Sequence, residues 1–290
     1  MKRIFSKLEN NEFLMMRKRV LAIVFIGTGI VSASPLPIKG NISLQTEYQG
    51  WNGKLMNYDR SSQAVASLDI GKFGLKAGAK HHFYNVYDYP RNVWINEYGI
   101  ELSYKFPFAK VFGRFTYTDG KLAQDRDWKM VGIGFEKEIR GIQTEAFLSY
   151  LKKPHLPHLT EREQLTIKGS KEFANGFRGY VRLDLTRAIY SGDTHKKGFV
   201  EVGGEKSFRL QKGIITPFAS IGAGDGYEIQ RGLFTDEDYG WERFTGKAGV
   251  KYTYKSLSVK AYGVYKQVSY TKERITKDGT GIGIELAVSF

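Results

Sequence analysis

Chemistry in this chain is carried by lysine and arginine far more than by nucleophiles or metal ligands. The five histidines are His81, His82, His155, His158 and His195. His81 and His82 are adjacent in an alternating stretch, so they point to opposite sides of a strand and cannot share a site. His155 and His158 stand in KKPHLPHLT, where an HxxH spacing suits a metal, but without a third ligand a plain surface loop is the better reading. Cysteine is absent, which excludes thiol catalysis, thiolate metal sites and disulfide stapling. No distinctive motif joins a serine nucleophile to a histidine base. The expectation is no catalytic residue, no metal and no cofactor.

The basic residues have more pattern. The chain carries a formal net charge of +14 and a pI of about 9.6. Its Lys and Arg are spread over alternate positions of many segments rather than gathered in a nucleic-acid-binding motif, so nucleic acid is not an expected partner. Glycines in stretches such as Ile221 to Gly224 sit within the same segments, where they ease curvature or close packing rather than cradle phosphate.

Those segments alternate with a period of two, which places successive side chains on opposite faces of a strand. Ile38, Gly40, Ile42, Leu44, Thr46 and Tyr48 alternate with Lys39, Asn41, Ser43, Gln45 and Glu47. Tyr98, Ile100, Leu102 and Tyr104 alternate with Glu97, Glu101, Ser103 and Lys105, and the chain closes on GIGIELAVSF, with Ile282, Ile284, Leu286, Val288 and Phe290 on one face. Repetition of the pattern gives about 14 strands of about ten residues, the range of transmembrane barrels. Abundant Gly, Tyr and Phe against 7 Pro agree with strands and tight turns.

Connections alternate in length. Short turns are expected at Gly71-Lys72, Phe106-Pro107-Phe108, Arg140-Gly141, Ala174-Asn175, Gln211-Lys212 and Lys255-Ser256, with longer polar segments at Trp51 to Arg60, Asp119 to Asp127 and Asp225 to Glu242. Aromatic residues mark both ends: Phe73, Phe106, Phe108, Phe173, Phe177, Phe208 and Tyr254 near short turns, and Tyr48, Trp51, Trp94, Tyr117, Trp128, Tyr150, Tyr190 and Trp241 near long ones. Two membrane-interface girdles are the expectation. The loop from Asp225 to Glu242 is acidic and either folds inward onto a basic wall or stays solvated.

Placing the apolar set outward sends Lys110, Arg114, Lys168, Arg182, Lys247, Lys251, Lys260 and Lys266 inward, together with acids that include Glu101, Glu145 and Glu285. Antiparallel register puts Lys251 near Lys260, Lys247 near Lys266 and Lys168 near Arg182, while Asp69 with Lys76 and Glu101 with Arg114 read as ion pairs. Like charges face to face destabilise a dry strand pair. A water-filled lumen tolerates them, and an anionic solute benefits from them.

Export fits the N-terminus. Val20 to Val31 is too short an apolar run to span a membrane as a helix; it follows Arg17-Lys18-Arg19 and leads to Val31-Ser32-Ala33. Residues 1–33 therefore read as a cleaved signal peptide, with Met15 or Met16 as alternative starts, and residues 34–290 as one transmembrane domain. Removing residues 1–33 lowers the formal charge to +10, so the mature chain stays basic.

Taken together, the signal segment, alternating strands, short and long connections and terminal Phe290 resemble bacterial outer-membrane β-barrel proteins. The expected fold is an all-β, antiparallel, up-and-down transmembrane barrel. The size is similar to that of porins with 14 strands, including the major porins of fusobacteria, and the basic lumen to that of the acidic-oligosaccharide porins. The resemblance implies residence in the outer membrane among its lipids, with Phe290 as the signal read by the barrel assembly machinery and room for a homo-oligomer. It implies a water-filled channel for small hydrophilic solutes, with anions favoured. A plugged structural or adhesive barrel is the alternative, and a barrel hydrolase a weaker one.

Overall fold

A computed structural model describes residues 38–52, 56–86, 93–120, 128–152, 159–190, 193–270 and 275–290. The signal segment and the HxxH pair at His155 and His158 lie outside the described residues. Fifteen strand segments follow one another in the described chain: β1 (Ile38–Asn52), β2 (Met56–Ile70), β3 (Phe73–Val86), β4 (Val93–Lys105), β5 (Lys110–Gly120), β6 (Trp128–Ile139), β7 (Ile142–Lys152), β8 (Leu159–Glu172), β9 (Phe177–Tyr190), β10 (Asp193–Lys206), β11 (Phe208–Leu210), β12 (Gly213–Arg231), β13 (Phe234–Tyr254), β14 (Leu257–Tyr270) and β15 (Ile275–Ser289). Sequential neighbours pair antiparallel through most of the chain, and β1 pairs with β15. Both β10 and the three-residue β11 pair with β12, so they form one stave interrupted at Ser207. The result is a closed antiparallel barrel of 14 strands.

Closure satisfies the backbone of every stave, which is what a sheet in lipid requires. The seam is completed at the last residue: the Gly40 N–H donates to the Phe290 carbonyl at 2.8 Å, and the Phe290 N–H donates to the Gly40 carbonyl at 2.9 Å. Gly40 has a steric role here, because a Cβ at this position would lie 2.2 Å from the Phe290 ring.

Alternation becomes inside against outside. Leu44, Ile100, Leu102, Ile133, Leu148, Val181, Val202, Ile221, Val250, Ile282 and Ile284 are exposed on the outer face, whereas Glu97, Thr116, Thr118, Arg162, Gln164 and Asp184 are buried on the inner one. This inversion of a soluble core is the expected distribution for a lipid-facing barrel. The six short turns fall where the sequence placed them, all at one end. Arg140 and Gly141 make a two-residue turn with φ of 53° and 76°, the doubly positive geometry whose twist matches paired strands.

An aromatic girdle marks the short-turn end. Phe73 packs edge-on to Tyr104 at 4.8 Å between centroids, Tyr104 to Phe106 at 4.7 Å, and Phe106 stacks with Phe108 at 5.6 Å. At the other end Tyr48 is exposed on the outer face. The side chains of Trp51, Trp94, Trp128, Tyr190 and Trp241 lie outside the described residues.

Candidate pore and its constriction

The segment from Asp225 to Glu242 is not an irregular loop. It is the far end of β12 and β13, the two longest strands at 19 and 21 residues, which pair with each other up to Arg231 and Phe234. β12 loses its other neighbour after Gly224, the last residue paired with β10, and β13 pairs with β14 only from Trp241 onward. Beyond these points the ribbon pairs with neither wall strand, although Asp225 at its base still bonds Lys197 on β10. Register shifts between Ala223 and Gly226 and between Tyr227 and Ile229 bend it, as bulges do. Gly224, at φ 153°, allows the departure, since a Cβ there would sit 2.3 Å from the Gly198 carbonyl oxygen.

The ribbon tip crosses the lumen and docks on the opposite wall. Leu233 and Phe234 are buried. Their seat is a pair of inward glycines in direct register, Gly78 on β3 and Gly99 on β4. A Cβ on Gly78 would lie 2.8 Å from Phe234 Cζ, and one on Gly99 would lie 3.1 Å from the Leu233 carbonyl oxygen. Polar bonds fix the same contact: Thr116 Oγ1 donates to the Leu233 carbonyl at 3.1 Å, and Arg114 Nη1 donates to the Gly232 carbonyl. Arg114 is itself held by Glu101, through Nε at 2.9 Å and Nη2 at 2.6 Å, and by stacking over the Phe147 ring at 4.5 Å. The tip meets Arg114 and Thr116 through its carbonyl oxygens, and Asp225 at the ribbon's base pairs with Lys197 on β10.

Beneath the tip, toward the short turns, lies a cavity of about 630 Å³. Lys76, Lys110, Arg114, Lys168 and Arg182 line it, balanced by Asp69, Glu101, Glu136, Glu145 and Glu285. Four of the expected pore-lining bases thus converge here, each beside acids. Lys110 bonds Glu136 at 3.0 Å, and Arg182 lies 2.8 Å from Asp184. Lys168 faces Arg182 in register, as expected.

The other four belong to a strip on β13 and β14. Lys251 faces Lys260 directly, but Lys247 faces Val264 and only diagonally approaches Lys266, whose partner is Thr245. The expected pairing of Lys247 with Lys266 is thus two residues out of register. Aromatic rings accept these charges: the Lys247 ammonium lies 3.6 Å from the Tyr262 ring centroid, and that of Lys260 lies 4.7 Å from Phe218 and 3.7 Å from a Glu285 carboxylate oxygen. The expected Asp69–Lys76 ion pair also fails, because Asp69 faces Gly74; it lies 3.5 Å from Lys105 instead.

Two features escaped sequence reading. The facing glycines carry no chemistry, so nothing in their type announces a seat for a segment about 150 residues away in the chain. The network in which Gln63 donates to Gln45, Gln45 to the Tyr262 hydroxyl, and that hydroxyl to Glu47 joins strands across the seam. Among the described residues, no group of three or more His, Cys, Asp or Glu could hold a metal ion.

No protein-family model and no curated protein sequence matches the chain. Solved structures do. The Pseudomonas putida toluene transporter TodX superposes with a TM-score of 0.53 at 8% identity, over 89% of this chain and 90% of its own. Acinetobacter baumannii outer membrane protein Omp33 gives 0.50 at 9% identity over 87% and 99%. CdiB from Escherichia coli gives 0.50 at 11% identity over 89% of this chain, which spans 63% of the CdiB chain. The chain has the fold of the bacterial outer-membrane β-barrel proteins.

Proposed function

We propose that this protein is an outer-membrane porin: a passive, water-filled channel for small hydrophilic solutes, narrowed by the β12–β13 ribbon. The observation that carries the reading is a closed barrel whose inner wall is charged and whose cavity of about 630 Å³ opens below the ribbon tip. No enzymatic role is proposed. Phe290, packed on Gly40 at the seam, serves as the signal for the assembly machinery.

Anion preference belongs to the β13–β14 strip in this reading. The bases and acids lining the cavity are equal in number, whereas Lys247, Lys251, Lys260 and Lys266 gather on one side, where Glu285 is shared between Lys260 and the cavity. Purified protein should give stepwise conductance in a planar bilayer. Replacing these four lysines by Gln should shift the zero-current potential toward cations, more strongly in dilute salt because the Debye length is about 10 Å at 0.1 M. A folded variant with unchanged ion preference would assign the lysines to wall decoration.

Burial of Leu233 and Phe234 favours a second reading, a plugged structural or adhesive barrel. Folded, heat-modifiable protein that never conducts would establish it against the channel.

A further inference from the structure

Four charged side chains on consecutive staves stand in one row of the wall. Glu136 on β6 faces Glu145 on β7, Glu145 faces Lys168 on β8, and Lys168 faces Arg182 on β9. The order is two acids and then two bases. Like charges directly opposite destabilise a strand pair, so this order is a cost that an alternating order of the same residues would avoid. All four line the cavity beneath the ribbon tip. The outer members are relieved from within the protein: Lys110, which faces Glu136 on β5, bonds it at 3.0 Å, and Arg182 lies 2.8 Å from Asp184 with Glu201 on β10 facing it in register. The inner members are not joined: among the described residues no ion pair links Glu145 with Lys168, whose ammonium lies over the Tyr180 ring at 5.1 Å.

We infer that this row binds a short peptide by both ends, its ammonium at Glu136 and Glu145 and its carboxylate at Lys168 and Arg182. Neighbouring strands are about 4.8 Å apart, so the centres of the acidic and basic pairs are about 10 Å apart. One amino acid spans about 3.6 Å and cannot bridge them; an extended tripeptide spans about 10 Å. A solute of single sign meets attraction on one half of the row and repulsion on the other. A zwitterion of tripeptide length meets attraction on both, through hydrogen bonds strengthened by charge. The inference names a solute class for the proposed channel and rests on that reading only for the route by which the peptide arrives.

Equilibrium dialysis of the purified full chain in detergent micelles against triglycine, N-acetyl-triglycine and triglycine amide tests it without any need for conduction. Triglycine should bind, and either cap should weaken binding by about tenfold or more. Glu145→Gln should weaken triglycine and leave N-acetyl-triglycine unchanged, whereas Lys168→Gln should weaken both and leave the amide unchanged, in protein whose heat-modifiable migration is intact. Equal binding of capped and uncapped peptides by the unaltered chain would overturn the inference, as would absence of triglycine binding. A chain that binds triglycine in this pattern yet never conducts would refute the channel and keep the site.

Discussion

Gly99 shows how a residue without a side chain seats a segment that crosses the lumen. Its absent Cβ leaves room for Leu233, and it is the cleaner of the two seat glycines, because a Cβ at Gly78 would also strike the Ala64 carbonyl of the wall at 2.7 Å. Gly99→Val should therefore expel the ribbon tip without disturbing the barrel, raising single-channel conductance while heat-modifiable migration stays unchanged. Unaltered conductance would place the narrowing elsewhere. Arg114 has a different part, since its guanidinium joins Glu101 to the Gly232 carbonyl in a nearly closed space. Arg114→Gln removes the guanidinium bonded to Glu101, leaving only Lys76 opposite it on β3, and should lower stability by about 2 kcal/mol in urea unfolding from lipid vesicles; Glu101→Gln added to it should restore part of that loss. The alternation that separates the two faces of each strand was legible in the sequence, because a strand period of two needs only the apolar face to be recognised. The partners of the inward bases were less so. Counting from turns pairs Asp69 with Lys76 and Lys247 with Lys266, and an error of two residues changes a direct neighbour into a diagonal one.

At the scale of elements, each short turn was marked by its residues, and alternation identified the strands between them. The β12–β13 ribbon was harder to read. Its composition announces an acidic loop, yet its form depends on where β10 and β14 stop pairing and on bulges that no single residue type encodes. The β1–β15 seam is the opposite case, since the terminal aromatic was conspicuous but its partner Gly40 was not. Deleting Phe290 removes the ring over Gly40 and the two backbone bonds that end the seam, so the folded, heat-modifiable form should fall in steady-state amount and form more slowly. Gly40→Leu separates the two contributions: it displaces the ring and keeps the residue. If it matches the deletion, the packed ring is what closure needs; if it leaves assembly intact while the deletion impairs it, recognition of the terminal residue dominates.

For the whole molecule, the barrel is a lipid-facing apolar surface around a charged wall, its acids and bases matched in number at the cavity and four lysines gathered on β13 and β14, crossed by one ribbon that belongs to the wall at its base and to the lumen at its tip. The fold class and strand number were legible because closure in lipid leaves few arrangements open to about 14 alternating segments. What fills the lumen was not, because contacts between the tip and β3, β4 and β5 join parts of the chain that share no local pattern. The proposed function requires that solutes cross this barrel and that the ribbon limits their flow. Single-channel recording in planar bilayers, comparing the full chain with a variant shortened symmetrically by deletion of Ile229 to Asp236, tests it most directly. Stepwise conductance is expected for the full chain and larger steps for the shortened one, from proteins of equal heat-modifiable migration. Silent bilayers for both, or steps of the same size, would contradict it.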